Sequence, residues 1–151
     1  MVTRLPVVFA LASFGAVALG CNPTTHPDDH VLVSYPDAEA FEPPPEFSGA
    51  WTGKVERKHG ELQIGQLRAR EYFANFTADD GSLDIALHME QSMTSTANGA
   101  QVPSNRLLFT WQDGSGQRGH GWFKIDEAGA RLDGSSGLGE RVDGYVWLFL
   151  R

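Results

Sequence analysis

Leu83-Asp84-Ile85-Ala86-Leu87-His88-Met89-Glu90 decides the fold. Apolar side chains stand at every second position, and Asp84, Ala86, His88 and Glu90 fill the gaps. A period of two places the apolar set on one face of a strand; a helix would need apolar residues three and four apart. The pattern recurs on both sides of this stretch. Trp51, Gly53 and Val55 alternate with Thr52, Lys54 and Glu56, Leu107, Phe109 and Trp111 share a face, and Tyr145, Trp147 and Phe149 share another. One buried and one wetted face is the arrangement of antiparallel strands.

Between these runs lie residues suited to tight turns: Lys58-His59-Gly60, Asp79-Asp80-Gly81, Asp113-Gly114 and Asp126-Glu127-Ala128-Gly129. Read hairpin by hairpin, the sequence predicts about eight strands, near 49–58, 61–69, 70–77, 82–91, 105–112, 119–125, 130–135 and 143–151. Leu62 and Ile64 face one way and Leu67 the other, which predicts a bulge or sharp bend at Gly65. Successive short strands with no helical stretch point to an all-β fold, an up-and-down barrel that leaves no exposed edge. A small β-sandwich is the alternative.

Ser48-Gly49-Ala50-Trp51 resembles the glycine-x-tryptophan opening of the first strand in lipocalin and avidin-like barrels. Gly119-His120-Gly121-Trp122-Phe123-Lys124-Ile125, with the turn and strand that follow to Gly134, resembles the hairpins of small bacterial barrel lipoproteins. That likeness implies a barrel that binds. It does not imply biotin, because the polar biotin-binding residues of avidins have no match after Trp51.

Residues 21–47 have another composition. They hold Pro23, Pro27, Pro36 and Pro43-Pro44-Pro45, six acids (Asp28, Asp29, Asp37, Glu39, Glu42, Glu46) and no lysine or arginine. Proline keeps such a chain extended and like charges repel, so the segment reads as a disordered, semi-rigid tether. Residues 48–151 then carry 13 acids against 11 bases, a net of −2, and the acidic balance of the whole chain belongs mostly to the tether. A near-neutral module with scattered bases offers no stripe for nucleic acid. His26-Pro27-Asp28-Asp29-His30 brings metal-ligating residue types together, but Pro27 and the extended segment speak against a preformed metal site. No cofactor site is expected.

Residues 1–20 have the plan of an export signal: Arg4, an apolar stretch from Leu5 to Leu19, and small residues near its end. The stretch is shorter than the roughly 20 residues needed to cross a bilayer core. Val17-Ala18-Leu19-Gly20-Cys21 resembles the lipobox of bacterial lipoproteins, although Ala18 stands where leucine is usual and Leu19 where a smaller residue is. The likeness implies that Cys21 is diacylated and becomes the new N-terminus, a membrane anchor. Asn22 in place of an aspartate favours the outer membrane, by the rule of enterobacterial lipoproteins. A plain secretory signal with an incidental cysteine is the alternative. Cys21 is the only cysteine, so no disulfide forms within one chain, and the fold depends on its core.

Tryptophan lines ligand pockets well, which makes Trp51, Trp111 and Trp147 the candidate binding residues; filling the barrel is their competing task. Trp122 is expected to point outward beside Lys124, as a contact for a partner. The last strand is apolar on both faces, so Val146, Leu148 and Leu150 call for cover. Gln91–Asn105 reads as a long polar loop, a candidate lid or contact surface. Catalysis has little support: the sequence has no nucleophile elbow, zinc spacing or phosphate loop, and His59, His88 and His120 fall in turns or outward positions. Asn75-Phe76-Thr77 matches a glycosylation sequon but reads as strand in a bacterial export context. The expected function is a non-catalytic envelope binding module, holding a small apolar ligand or a lipid. The alternatives are a protein-interaction or exoenzyme-inhibitor module and a structural envelope component.

Overall fold

The computed structural model describes residues 34–151; the expected export signal, Cys21 and the His26–His30 cluster lie outside the described residues. Eight strands follow one another: β1 (Gly49–Val55), β2 (Lys58–Arg68), β3 (Glu71–Ala78), β4 (Asp84–Ser95), β5 (Gln101–Asp113), β6 (Arg118–Ile125), β7 (Arg131–Leu138) and β8 (Tyr145–Leu150). Each pairs antiparallel with the next, and β8 returns to β1 through Thr52↔Leu150 and Val55↔Trp147. The sheet is therefore a closed up-and-down barrel and not a sandwich, with every strand edge paired.

The alternation read from the sequence sets which side chains face inward. Leu62 and Ile64, Phe76, Ile85, Leu87 and Met89, Leu107 and Phe109, and Phe123 and Ile125 are buried in one core. Over β2, β3 and β4 the outward positions are exposed and mostly polar, with Leu67, Phe73, Ala86 and Met93 as the apolar exceptions. The apolar interior is the reverse of that of a transmembrane barrel, which is polar. At the centre Trp147 lies 5.4 Å from Phe109, 5.5 Å from Phe123 and 6.2 Å from Phe76, ring centre to ring centre. So many rings fit because inward glycines make room for them. A Cβ at Gly121 would stand 2.3 Å from the Phe109 ring, and one at Gly134 would stand 2.5 Å from Phe123. Pairing small with large residues across strands is how a small barrel fills its interior.

Three sequence expectations change. Gln91–Asn105 is not a loop: β4 and β5 run on as a hairpin, with Met93↔Pro103 and Thr94↔Val102 paired, and only Thr96–Ala100 turns. Its alternation was hidden because the inward residues are polar (Gln91, Ser104 and Asn105 are all buried) and a register shift between Gln91 and Met93 reverses the phase. The irregularity expected at Gly65 comes slightly later, between Gln66 and Arg68; Gly65 itself stays paired to Phe73.

The third change concerns the tether. Its described part, Ser34–Phe47, lies against the barrel as a strap. Glu39 and Asn105 exchange hydrogen bonds, the Glu39 N–H donating to Asn105 Oδ1 and the Asn105 N–H to the Glu39 carbonyl, both at 2.8 Å. Thr94 Oγ1 donates to the Ala38 carbonyl, Arg106 to that of Pro36, and Lys124 pairs with Glu39 at 2.7 Å. Phe47 is wholly buried, edge-on to Tyr72. The folded module thus starts before Ser48. Among the acids and prolines that read as a solvated spacer stands Phe47, a fully buried aromatic that closes this end of the barrel.

Candidate functional site

The up-and-down order gives the barrel two unlike ends. The strap, the Ala69–Arg70 turn and the Asp126–Ala130 turn lie at one end, with the start of β1. This end is shut. Trp51 is fully buried here; its Nε1 donates to the Phe47 carbonyl at 2.8 Å, and the Arg151 guanidinium covers its ring at 4.1 Å. Arg151 also donates to the carbonyls of Glu46, Ser48 and Gly129, which binds strap, β1 and the β6–β7 turn together.

The other end carries the turns after β1, β3, β5 and β7, and here the core stops short of the rim. A cavity of about 200 Å³ remains among Val55, Leu83, Ile85, Trp111, Tyr145 and Trp147. Tyr145 meets Trp111 edge-on at 6.2 Å. Both tryptophans are held by their own N–H groups: Trp147 Nε1 donates to Ser136 Oγ at 2.9 Å and Trp111 Nε1 to the Gly137 carbonyl at 3.1 Å. Gly119 permits the second bond, since a Cβ there would stand 1.8 Å from the Gly137 oxygen and 2.9 Å from Trp111 Nε1. The two tryptophans therefore present apolar ring surface with no free indole donor.

The rim is polar. Glu56 has a left-handed backbone (φ 54°); its N–H donates to the Val146 carbonyl, and its carboxylate accepts from the Val146 N–H. Asp113 Oδ1 accepts from the Ser115 hydroxyl at 2.7 Å, the Ser115 N–H at 2.9 Å and the Gln117 N–H at 3.0 Å. These bonds, the Ser115 hydroxyl foremost, hold the Asp113 carboxyl below its ordinary range. Lys58, also on the rim, is paired with Asp80 at 2.9 Å.

The three tryptophans chosen from the sequence are thus divided. Trp111 and Trp147 share the open mouth, while Trp51 lies at the sealed end and does not reach it. Trp122 points outward and is half-buried, in register between Leu108 and Ser135, with Val146 next beyond Ser135. Of the final strand's outer face, Leu148 is half-buried, but Val146 and Leu150 stay mostly exposed, at 60% and 55%. A wider trough of about 580 Å³ crosses the outer wall over Ala86 and Thr110, edged by His88, Arg118, His120 and Glu140. It has the solvent face of the sheet as its floor, and His120 Nδ1 is engaged with the Gly139 carbonyl at 2.6 Å. The mouth is the better-formed site, because its walls include buried side chains from five strands, β1, β4, β5, β7 and β8.

Sequence reasoning missed Tyr145, Glu56 and Asp113 as site residues. Asp113-Gly114 was legible as a turn, and Tyr145 as the first apolar residue of its strand. Only closure of the barrel brings those positions to one rim. Among the described residues, no group of three or more His, Cys, Asp or Glu is arranged to hold a metal, and no buried side-chain N or O lacks a partner. Comparison with protein-family models, curated proteins and solved structures finds no match for this chain.

Proposed function

We propose that this chain is a lipoprotein of the bacterial envelope, anchored through acyl chains on Cys21, whose barrel is a non-catalytic binding module that takes a small ligand at its open mouth. The observation that carries the reading is the contrast between the ends: a strap and a buried phenylalanine shut one, and two tethered tryptophans floor a cavity at the other. The lipobox-like Val17–Cys21 supports the anchor, and Asn22 favours the outer membrane. Two or three acyl chains, each methylene contributing about 0.8 kcal/mol, give stable attachment where one would not.

Size limits the ligand. A dry cavity of about 150 Å³ holds benzene, whereas pockets for drug-sized molecules run from about 300 Å³ upward. The 200 Å³ mouth suits one ring with a short substituent. An acyl chain of a lipid would have to displace the rings around Trp147, so a small ligand is favoured over a lipid.

The four indole N–H groups provide the test. In a proton–nitrogen spectrum of the full-length chain, a mouth ligand drawn from a library of small ring compounds and fatty acids shifts the Trp111 and Trp147 signals and leaves Trp51 unmoved. Loss of those shifts in Leu83→Trp, which fills the mouth, completes the expectation. Saturating binding that moves only Trp122 would overturn it. That result would favour the second reading, a protein-interaction module, which the outward row of Leu108, Trp122 and Val146 supports.

A further inference from the structure

Resting on the mouth as the binding site, we propose that its ligand is a small organic cation: a single apolar ring, aromatic for preference, that carries an ammonium group on a short chain. Four observations meet in this assignment. Both indole N–H groups are spent on Gly137 and Ser136, so the tryptophans offer only apolar ring surface to the end of the ligand that enters. The walls include the rings of Trp111, Trp147 and Tyr145, whose electron-rich faces attract a cation. The rim carries the carboxylates of Glu56 and Asp113, while Lys58, the one base lining the mouth among the described residues, is neutralised by Asp80 at 2.9 Å. The unbalanced charge at the rim is therefore negative. Finally, a volume of about 200 Å³ holds a ring and a short chain but not a second ring.

The order of these groups sets the pose. The ring enters toward Trp147, and the ammonium stays at the rim between Glu56 and Asp113, where it retains part of its hydration and needs no buried counter-ion. A carboxylate or phosphate at the same depth would face both acids. The site thus rejects fatty acids and phospholipids by charge as well as by size.

Three probes of one shape isolate the charge: 2-phenylethylamine, neutral 2-phenylethanol and anionic 3-phenylpropionate, titrated into the full-length chain while the indole signals are followed. The amine is expected to bind about tenfold more tightly than the alcohol, and the carboxylate more weakly than either. In the Glu56→Gln/Asp113→Asn double variant that advantage falls to about twofold while the alcohol binds as before, and salt weakens only the amine. Glutamine and asparagine keep the accepting oxygens, so the turns at 56 and 113 hold, and an unchanged amide spectrum confirms it. If the carboxylate binds as tightly as the amine and still shifts Trp111 and Trp147, the cation assignment is overturned and the mouth stands. If none of the three shifts those signals, while other library compounds do, the cation assignment alone falls. If no compound does, both readings fall.

Discussion

At the scale of single residues, the barrel depends on pairs in which one strand gives up a side chain so that its neighbour can place a ring. Gly134 beneath Phe123 and Gly121 beneath Phe109 are such pairs, each directly opposite in the ladder. Gly134→Ala is expected to lower stability by about 1–3 kcal/mol through overpacking, measured by urea unfolding, and Phe123→Leu in the same chain to recover part of the loss. Exposed carboxylates act at the same scale. Asp80 is held below its ordinary range first by the Ser82 hydroxyl and then by Lys58, Asp113 by Ser115, and Asp143 by Arg141. A depressed carboxyl binds fewer protons in the folded state than in the unfolded one, so its contribution is complete above about pH 4 and is lost as the pH falls further. Thermal unfolding midpoints should therefore drop below about pH 4, and less steeply in Asp113→Asn. Tyr72 works in the opposite direction. Burial, and then the charge of Glu46, raise its pKa, so the stability tied to its neutral form is lost as the pH climbs past about 10.

At the scale of elements, the strap is the part whose removal tells most. Phe47 plugs the closed end, and Asn105, itself buried, holds the strap by both its backbone and its side chain. Phe47→Ala is expected to cost about 3–5 kcal/mol, since a buried ring leaves a cavity that the strands cannot collapse to fill. A chain beginning at Ser48 should unfold at a clearly lower urea concentration than one beginning at Ser34. Equal midpoints for the two truncations would show the strap to be an ornament. The long β4–β5 hairpin belongs to the same structure, because its inward polar residues meet the strap: Thr94 bonds Ala38 and Asn105 bonds Glu39.

At the scale of the whole molecule, the barrel is mostly polar outside over β2–β4, filled with rings at its middle, shut at one end and open at the other. Such a body needs an anchor to stay at a membrane, and Cys21 is the proposed one. Cys21→Ser is expected to abolish incorporation of a labelled fatty acid and to move the protein from the membrane fraction to the aqueous one. Retention of the label would place the acyl chain elsewhere. The outer row of Leu108, Trp122 and Val146 belongs to this scale too; Trp122→Ser should leave ligand binding at the mouth unchanged, because its ring points away from the interior.

The sequence by itself determined the strands and their inward faces, because a period of two in side-chain polarity is a local property that each segment carries alone. It also determined the number of strands and, through the consecutive turns, an up-and-down order. Only the tertiary structure decided that Trp51 belongs to the sealed end and Trp111 and Trp147 to the mouth. A strand's alternation says which face a residue occupies, but its height along the barrel depends on the stagger between strands. Only the tertiary structure, likewise, drew Phe47 into the core and Gln91–Asn105 into a hairpin. In both places the buried groups are polar or isolated, and they are satisfied by partners more than ten residues away, such as Asn105 for Glu39 and Ser104 for Gln91, which no local pattern can announce.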